Sequence, residues 1–268
     1  MSENISTTIR DGVATIVLDR PEVLNALDPD MANALNAATG ALAGDTAVRC
    51  VVIKGAGEHF MAGGDVRHFF KLLQESPGDV EKNIGGEIEA VHAAIINIRS
   101  MPKPVIASVR GASAGFGMSL VAACDLAIAA EDSVFSLAYC RIGTSPDGGS
   151  TWTLPRTIGL KRAMELALLG DRITPRQASD YGLINWVVPT AELDKMTGEL
   201  AARLAAGPAD ALARTKALLN ESLGAELQAQ LRAEKDSFIA GVTGPEFAEG
   251  VSAFVEKRPA RFPRGEGE

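Results

Sequence analysis

Cysteine is scarce: Cys50, Cys124 and Cys140 are all the chain has, each inside an apolar run and none at metal-ligand spacing. They read as reduced core residues, which sets aside a disulfide scaffold and a zinc site. No apolar run reaches the ~18 residues that a membrane helix needs. Residues 1–12 show neither an apolar signal core nor a basic amphipathic pattern. The expectation is a soluble, cytoplasmic protein that spans no membrane. Cationic excess is missing too, and a net charge of −8 argues against non-specific nucleic-acid binding. A Walker-type phosphate loop and a dinucleotide G-x-G-x-x-G unit are both absent. No metal is expected.

What the chain does have is length and ordinary globular composition. With 268 residues, 46% hydrophobic and 22% charged, it suits one large domain or a main domain with an appendage. Asp11-Gly12 between two β-patterned runs predicts a hairpin. Asp28-Pro29 predicts a helix start. The wholly apolar Cys50-Val51-Val52-Ile53 and Pro104–Val109 runs predict strands covered on both faces. A long helix is expected over 80–101, and an entirely apolar, hence internal, one over 116–123. From residue 191 the pattern is all helical. Strand–strand–helix units followed by helices suggest an α/β spiral core over 1–190 and a helical appendage over 191–268.

Two glycine-rich strand-to-helix junctions stand out: Phe60-Met61-Ala62-Gly63-Gly64-Asp65 and Gly111-Ala112-Ser113-Ala114-Gly115-Phe116-Gly117. Glycine lets backbone N–H groups face a ligand oxygen, and a helix start adds its dipole. Two converging donors make an oxyanion hole. A lone carboxylate, Asp147, follows in a Pro-Asp-Gly-Gly turn. On local sequence it serves equally as a turn former.

These junctions, taken in order with Arg20-Pro21, Leu24-Asn25-Ala26-Leu27, Lys103-Pro104-Val105, Cys124-Asp125-Leu126-Ala127 and Ala178–Val188, resemble the crotonase superfamily, the enoyl-CoA hydratase/isomerase family. The resemblance covers essentially the whole chain. It implies a ββα spiral core, a C-terminal helical region for trimerisation, and trimers that commonly pair into hexamers. It also implies an acyl-CoA substrate, with coenzyme A brought as part of that substrate and no further cofactor. Carried over by position, the oxyanion amides fall on Gly64 and Phe116, beside Gly63 and Gly115. Relatives usually have a small residue where Phe116 stands. Implied coenzyme contacts are Asn25, Ala26, Leu27, Ala62 and Arg67, with Phe254 and Lys257 from a neighbouring subunit's tail. Tyr139 is a candidate hydrogen-bond donor to substrate.

The acid–base groups depart from the hydratase pattern. Similar hydratases use two glutamates, and the matching positions here are Ser119 and Tyr139. Neither acts as a base near neutrality. Asp147 stands where isomerase-like members and 4-chlorobenzoyl-CoA dehalogenases carry a functional aspartate. The run from Gly143 to Trp152 is closest to ring-epoxide phenylacetyl-CoA isomerases. The resulting expectation is an enoyl-CoA isomerase with Asp147 as proton shuttle. Its rivals are a hydratase, a dehalogenase-like enzyme using His92 to activate water, and an idle acyl-CoA-binding relative. Among the remaining polar groups, Asp65 is read as a helix cap, His92 as packed or hydrogen-bonded, and His59 and His68 as loop or rim residues. Glu87 and Glu89 are read as a solvated face. Burial against Phe116 or Trp152 is expected to raise the Asp147 pKa, and Phe69, Phe70, Phe116 and Trp152 are candidates for an aromatic pocket.

Overall fold

A computed structural model describes residues 4–263. The chain opens with the hairpin β1 (Ile5–Arg10) and β2 (Val13–Leu18), whose turn residues Asp11 and Gly12 both take positive φ, 50° and 77°. That is the backbone a two-residue hairpin turn requires. Next come α1 (Pro29–Gly44), β3 (Cys50–Gly55), α2 (Val66–Glu75) and α3 (Val80–Ser100). They lead to β4 (Val105–Val109), β5 (Ala112–Ala114), α4 (Phe116–Ala123), β6 (Leu126–Ala130) and β7 (Val134–Ser136). The middle closes with α5 (Ser150–Thr157), α6 (Leu160–Leu169), β8 (Arg172–Ile173), α7 (Pro175–Tyr181) and β9 (Trp186–Val188). Four helices follow: α8 (Leu193–Ala205), α9 (Ala209–Ser222), α10 (Leu227–Val242) and α11 (Pro245–Glu256).

The main sheet has six strands in the order β1-β2-β3-β4-β6-β9, parallel throughout except for the β1–β2 hairpin. One face carries the main core, where α1, α3 and α4 pack through Met31, Leu35, Val91, Ile98 and Leu120. The other face meets α8, which sets Leu193, Ala201 and Ala205 against Cys50, Val52, Ile106 and Ile128. Both faces are thus covered, which explains the continuous apolar runs of β3 and β4. All eight residues of α4 are buried, as its composition demands.

The expected elements are present, with differences at short strands. β5, β7 and β8 form a second, three-stranded sheet. β5 and β8 are too short, at three and two residues, to produce a period-2 pattern. Cys140 is exposed rather than in the core; it sits in a 3-10 turn at Tyr139–Ile142. All three cysteines are free thiols, and burial pushes Cys50 up to about 12. Among the described residues, no helix is long and apolar enough to cross a membrane.

Candidate active site

The two glycine junctions touch. Gly63 and Gly115 hold positive φ, 96° and 51°. A Cβ on Gly63 would stand 3.1 Å from the Ala114 carbonyl oxygen, and one on Gly115 would stand 3.4 Å from the Gly63 Cα. Absence of side chains at both positions is what lets the backbones meet. Hydrogen bonds pin the approach: the Phe60 and Met61 amides donate to the Ala112 carbonyl at 3.1 and 3.0 Å, and Ala114 N donates to Met61 O at 2.9 Å. His59, expected at a rim, has a structural task here, its Nδ1 accepting from the Ala112 amide at 3.1 Å.

The residue after each touching glycine, Gly64 and Phe116, presents an N–H with no acceptor among the described residues. Phe116 is the first residue of α4, so its amide is one of the helix's unpaired donors and lies at the positive end of the dipole. The Phe116 ring turns inward, against Gly148: a Cβ at 148 would lie 2.8 Å from it. Gly148 is therefore a steric need as well as a positive-φ position, at 58°.

The segment holding Asn25, Ala26 and Leu27 is tied to the first junction. Leu27 N donates to Gly63 O, and Asp65 N donates to Leu27 O, both at 2.7 Å. Arg20 reaches across to Asp28 at 3.3 Å and Asp65 at 3.1 Å, and Asp65 caps α2 by accepting from the Arg67 and His68 amides. The Asn25 side chain is fully buried and fully used, donating to Ala56 O and His59 O and accepting from Arg20 N. Its amide group is therefore not free for a coenzyme, and the N–H groups of Asn25, Ala26 and Leu27 are spent on Arg20 O, Val23 O and Gly63 O, which leaves only carbonyl lone pairs of this segment. The Ala62 N–H is likewise spent, on Leu24 O.

Asp147 sits on the loop packed over the first turn of α4. Tyr139 donates its hydroxyl proton to Asp147 Oδ1. Ser119 lies 3.1 Å from that hydroxyl and 3.1 Å from the Asp147 carbonyl oxygen, and Ser150 Oγ donates to the same carbonyl at 2.9 Å. The positions expected to lack a base thus form a hydroxyl chain that holds the aspartate. Burial raises the Asp147 pKa, while the Tyr139 hydrogen bond and the nearby His92 charge partly offset the rise. Burial and the neighbouring carboxylate also raise Tyr139, keeping it a proton donor.

Several expectations are corrected. Trp152 does not cover Asp147; Arg99 and Arg156 stack on its ring at 4.9 and 4.4 Å on another side of α5. Phe70 points outward, so Phe69 and Phe116 are the rings beside the junctions. His92 is exposed and makes no hydrogen bond among the described residues, so it is neither packed nor tied. Glu87 is buried, not solvated, and bonds His68 at 2.8 Å, while Glu89 is exposed. The signal was in the sequence: Glu87 lies on the stripe Ala90, Val91, Ala94, Ile98, the core face of α3. Arg67 is exposed in the first turn of α2. Phe254 and Lys257 are exposed on α11 and its cap, and among the described residues no hydrogen bond or ion pair links them to the junctions. A cleft of about 460 Å³ lies elsewhere, lined by Arg99, Asp125, Trp152, Lys216 and others. Within it Lys216 pairs with Asp125 at 2.7 Å, and Arg99 and Arg156 stack on Trp152.

A parallel α/β spiral whose two junctions bring unpaired amides together, with a buried carboxylate on the adjoining loop, defines a crotonase-type enzyme. The comparisons agree. The family model described as enoyl-CoA hydratase/isomerase matches residues 8–265. A probable enoyl-CoA hydratase of Rhodobacter capsulatus is 40% identical over 95% of both chains. The 1,2-epoxyphenylacetyl-CoA isomerase of Escherichia coli is 35% identical over 98% of this chain and 99% of that one. The crystal structure of an enoyl-CoA hydratase from Polaromonas sp. JS666 is 36% identical and superposes with a TM-score of 0.90 over 97% of this chain and 99% of its own. The chain belongs to the enoyl-CoA hydratase/isomerase family.

Proposed function

We propose that this enzyme is an enoyl-CoA isomerase that moves a double bond along an acyl thioester, with Asp147 as its single acid–base group. The observation that carries this is the Tyr139–Asp147 contact: the position that could hold a second carboxylate is spent on orienting the first. In the proposed reaction the thioester oxygen lies between the Gly64 and Phe116 amides. Asp147 takes a proton from C2 of a 3-enoyl chain, and negative charge moves onto the oxygen. The two amides stabilise that enolate, each contributing ~3–4 kcal/mol to lowering the barrier. Asp147 returns the proton at C4, and the double bond comes to rest between C2 and C3. One carboxylate suffices because the proton leaves and returns on the same base. Its raised pKa suits it to both steps.

Hydration would need a second group to activate water while the first supplies a proton. The hydroxyls of Ser119 and Tyr139 do not serve as that base near neutrality. The coenzyme arrives with the substrate; the exposed Arg67 and the carbonyl oxygens of residues 25–27 are its proposed contacts. Phe254, 86% exposed, shares α10 and α11 with exposed Phe238, Ile239, Phe247, Val251 and Val255, and we assign this apolar face to contacts between copies in a trimer or pair of trimers.

The test follows absorbance of the conjugated thioester. Signal should rise from 3-hexenoyl-CoA with wild type and not with Asp147→Asn. Loss of signal from crotonyl-CoA, with none gained from 3-hexenoyl-CoA, would replace the isomerase with a hydratase.

A further inference from the structure

Beside the first junction stands a polar pair that the proton transfer does not use. His68, in the first turn of α2, meets Glu87 of α3 through Nε2 and Oε1 at 2.8 Å, with Glu87 7% exposed and His68 29%. Burial raises the Glu87 carboxyl, His68 lowers it, and nearby Asp28 and Asp65 raise it again. Arg20 is already engaged by Asp28 and Asp65. Asp28 and Asp65 thus share the one guanidinium, and Glu87 is left with the imidazole as its partner.

Fastening α2 to α3 does not require this chemistry. Apolar replacements for a buried pair are often neutral or stabilising. α2 has apolar side chains to spare, with Val66, Phe70 and Leu73 exposed and none of its residues buried. The imidazole, moreover, is only half engaged. Its Nδ1 makes no hydrogen bond among the described residues, while Nε2 is fixed.

Position supplies the second argument. The next residue, Phe69, packs beside the His68 ring at 6.0 Å and brings its tip to Gly64, 2.8 Å from where a Cβ would stand. From Glu87, α3 continues for ~12 Å to Ile95, which packs near Gly149, and His92 between them is close enough for Asp147 to feel its charge. One helix therefore borders both the amide end and the carboxylate end of the site.

We propose that His68, oriented by Glu87, recognises an oxygen on the acyl chain, so that hydroxy- or oxo-acyl thioesters are preferred over plain hydrocarbon chains. This rests on the acyl-CoA reading of the same site and names its substrate class. With a neutral imidazole, Nε2–H donates to Glu87 and Nδ1 accepts from a hydroxyl. With an imidazolium, Nδ1–H donates to a hydroxyl or carbonyl oxygen. A hydroxyl satisfies either state.

The test is calorimetric binding of saturated probes that cannot isomerise: hexanoyl-CoA, 5-hydroxyhexanoyl-CoA and 6-hydroxyhexanoyl-CoA. Wild type should bind at least one hydroxylated probe about tenfold or more tightly than hexanoyl-CoA, as expected for one added hydrogen bond to a charge-assisted group. His68→Phe should erase that preference and leave hexanoyl-CoA affinity within about threefold. Glu87→Gln, which keeps the shape but weakens the hold on Nε2, should reduce it; if His68→Phe fails to fold, Glu87→Gln carries the test. Equal binding of all three probes to wild type overturns the proposal while leaving the acyl-CoA reading intact. So does an equal loss for every probe in either variant, the signature of a merely structural tie. Failure of hexanoyl-CoA itself to bind removes the acyl-CoA reading, and this proposal with it.

Discussion

Replacing Tyr139 by Phe removes one proton and one oxygen from a buried site and leaves the ring. The hydroxyl donates to Asp147 Oδ1, and that bond opposes the rise that burial imposes on the carboxyl. A hydrogen bond to a charged group contributes ~1.5–3 kcal/mol. Its loss therefore disfavours the ionised carboxylate by roughly 10- to 150-fold in its ionisation constant. The sign is fixed: the variant's Asp147 holds its proton to higher pH, so the acid-side rise of kcat/KM against pH moves upward. The measurement is kcat/KM for 3-hexenoyl-CoA across the pH range in wild type and Tyr139→Phe, with thermal melts to show the fold is kept. Ser119, 3.1 Å from the same hydroxyl, is the next link in the chain, so Ser119→Ala should move the profile less in the same direction. An unchanged acid limb in Tyr139→Phe, with activity merely scaled down, would refute the claim that this phenol sets the carboxylate's proton affinity.

Asp147→Asn should lower turnover by ~10²–10⁴-fold, the usual worth of a general base, without lowering thermal stability. A carboxyl whose pKa is raised in the fold gives stability that is complete at low pH and lost as pH rises through the folded-state value. The variant's melting point should thus exceed wild type at pH 7, and the gap should close toward pH ~4. Gly63→Ala should cost both activity and stability, because its φ of 96° and the Ala114 carbonyl 3.1 Å away resist a Cβ. The control is Gly44→Ala, whose Cβ meets nothing and whose effect should be neutral or stabilising by up to ~1 kcal/mol. Lys216→Met should destabilise by ~1.5–3 kcal/mol in urea unfolding, since it removes the ammonium from a partly exposed Asp125 carboxylate that keeps only the Val105 amide as a hydrogen-bond donor among the described residues. Adding Asp125→Asn should recover part of that loss.

Much of the frame was legible because its signals are local. The hairpin turn at Asp11-Gly12, the Asp28 cap and the uniformly apolar α4 each follow from residue type and period. The short strands β5 and β8 were not, since pairing to β7 rather than their own pattern defines them. At the site, the glycine junctions announced donors, but their contact through Gly63 and Gly115 depends on folding over some fifty residues. Trp152 was misplaced because its alternative partners, Arg99 and Arg156, outbid any apolar wall through their stacked guanidinium groups. Glu87 was misread as solvated because glutamate is seldom buried unless paired. Its partner, His68, lies on a different helix, and that helix's angle to α3 is a tertiary fact.

The central claim is that the main chain of Gly64 and Phe116 grips the thioester oxygen while Asp147 handles the proton. It is tested most directly by a crystal structure of Asp147→Asn with 3-hexenoyl-CoA bound. The expected complex has the thioester oxygen within ~3.1 Å of both amide nitrogens and the residue 147 side chain beside C2 and C4. A thioester oxygen bound elsewhere, or another carboxylate nearer those carbons, would contradict it.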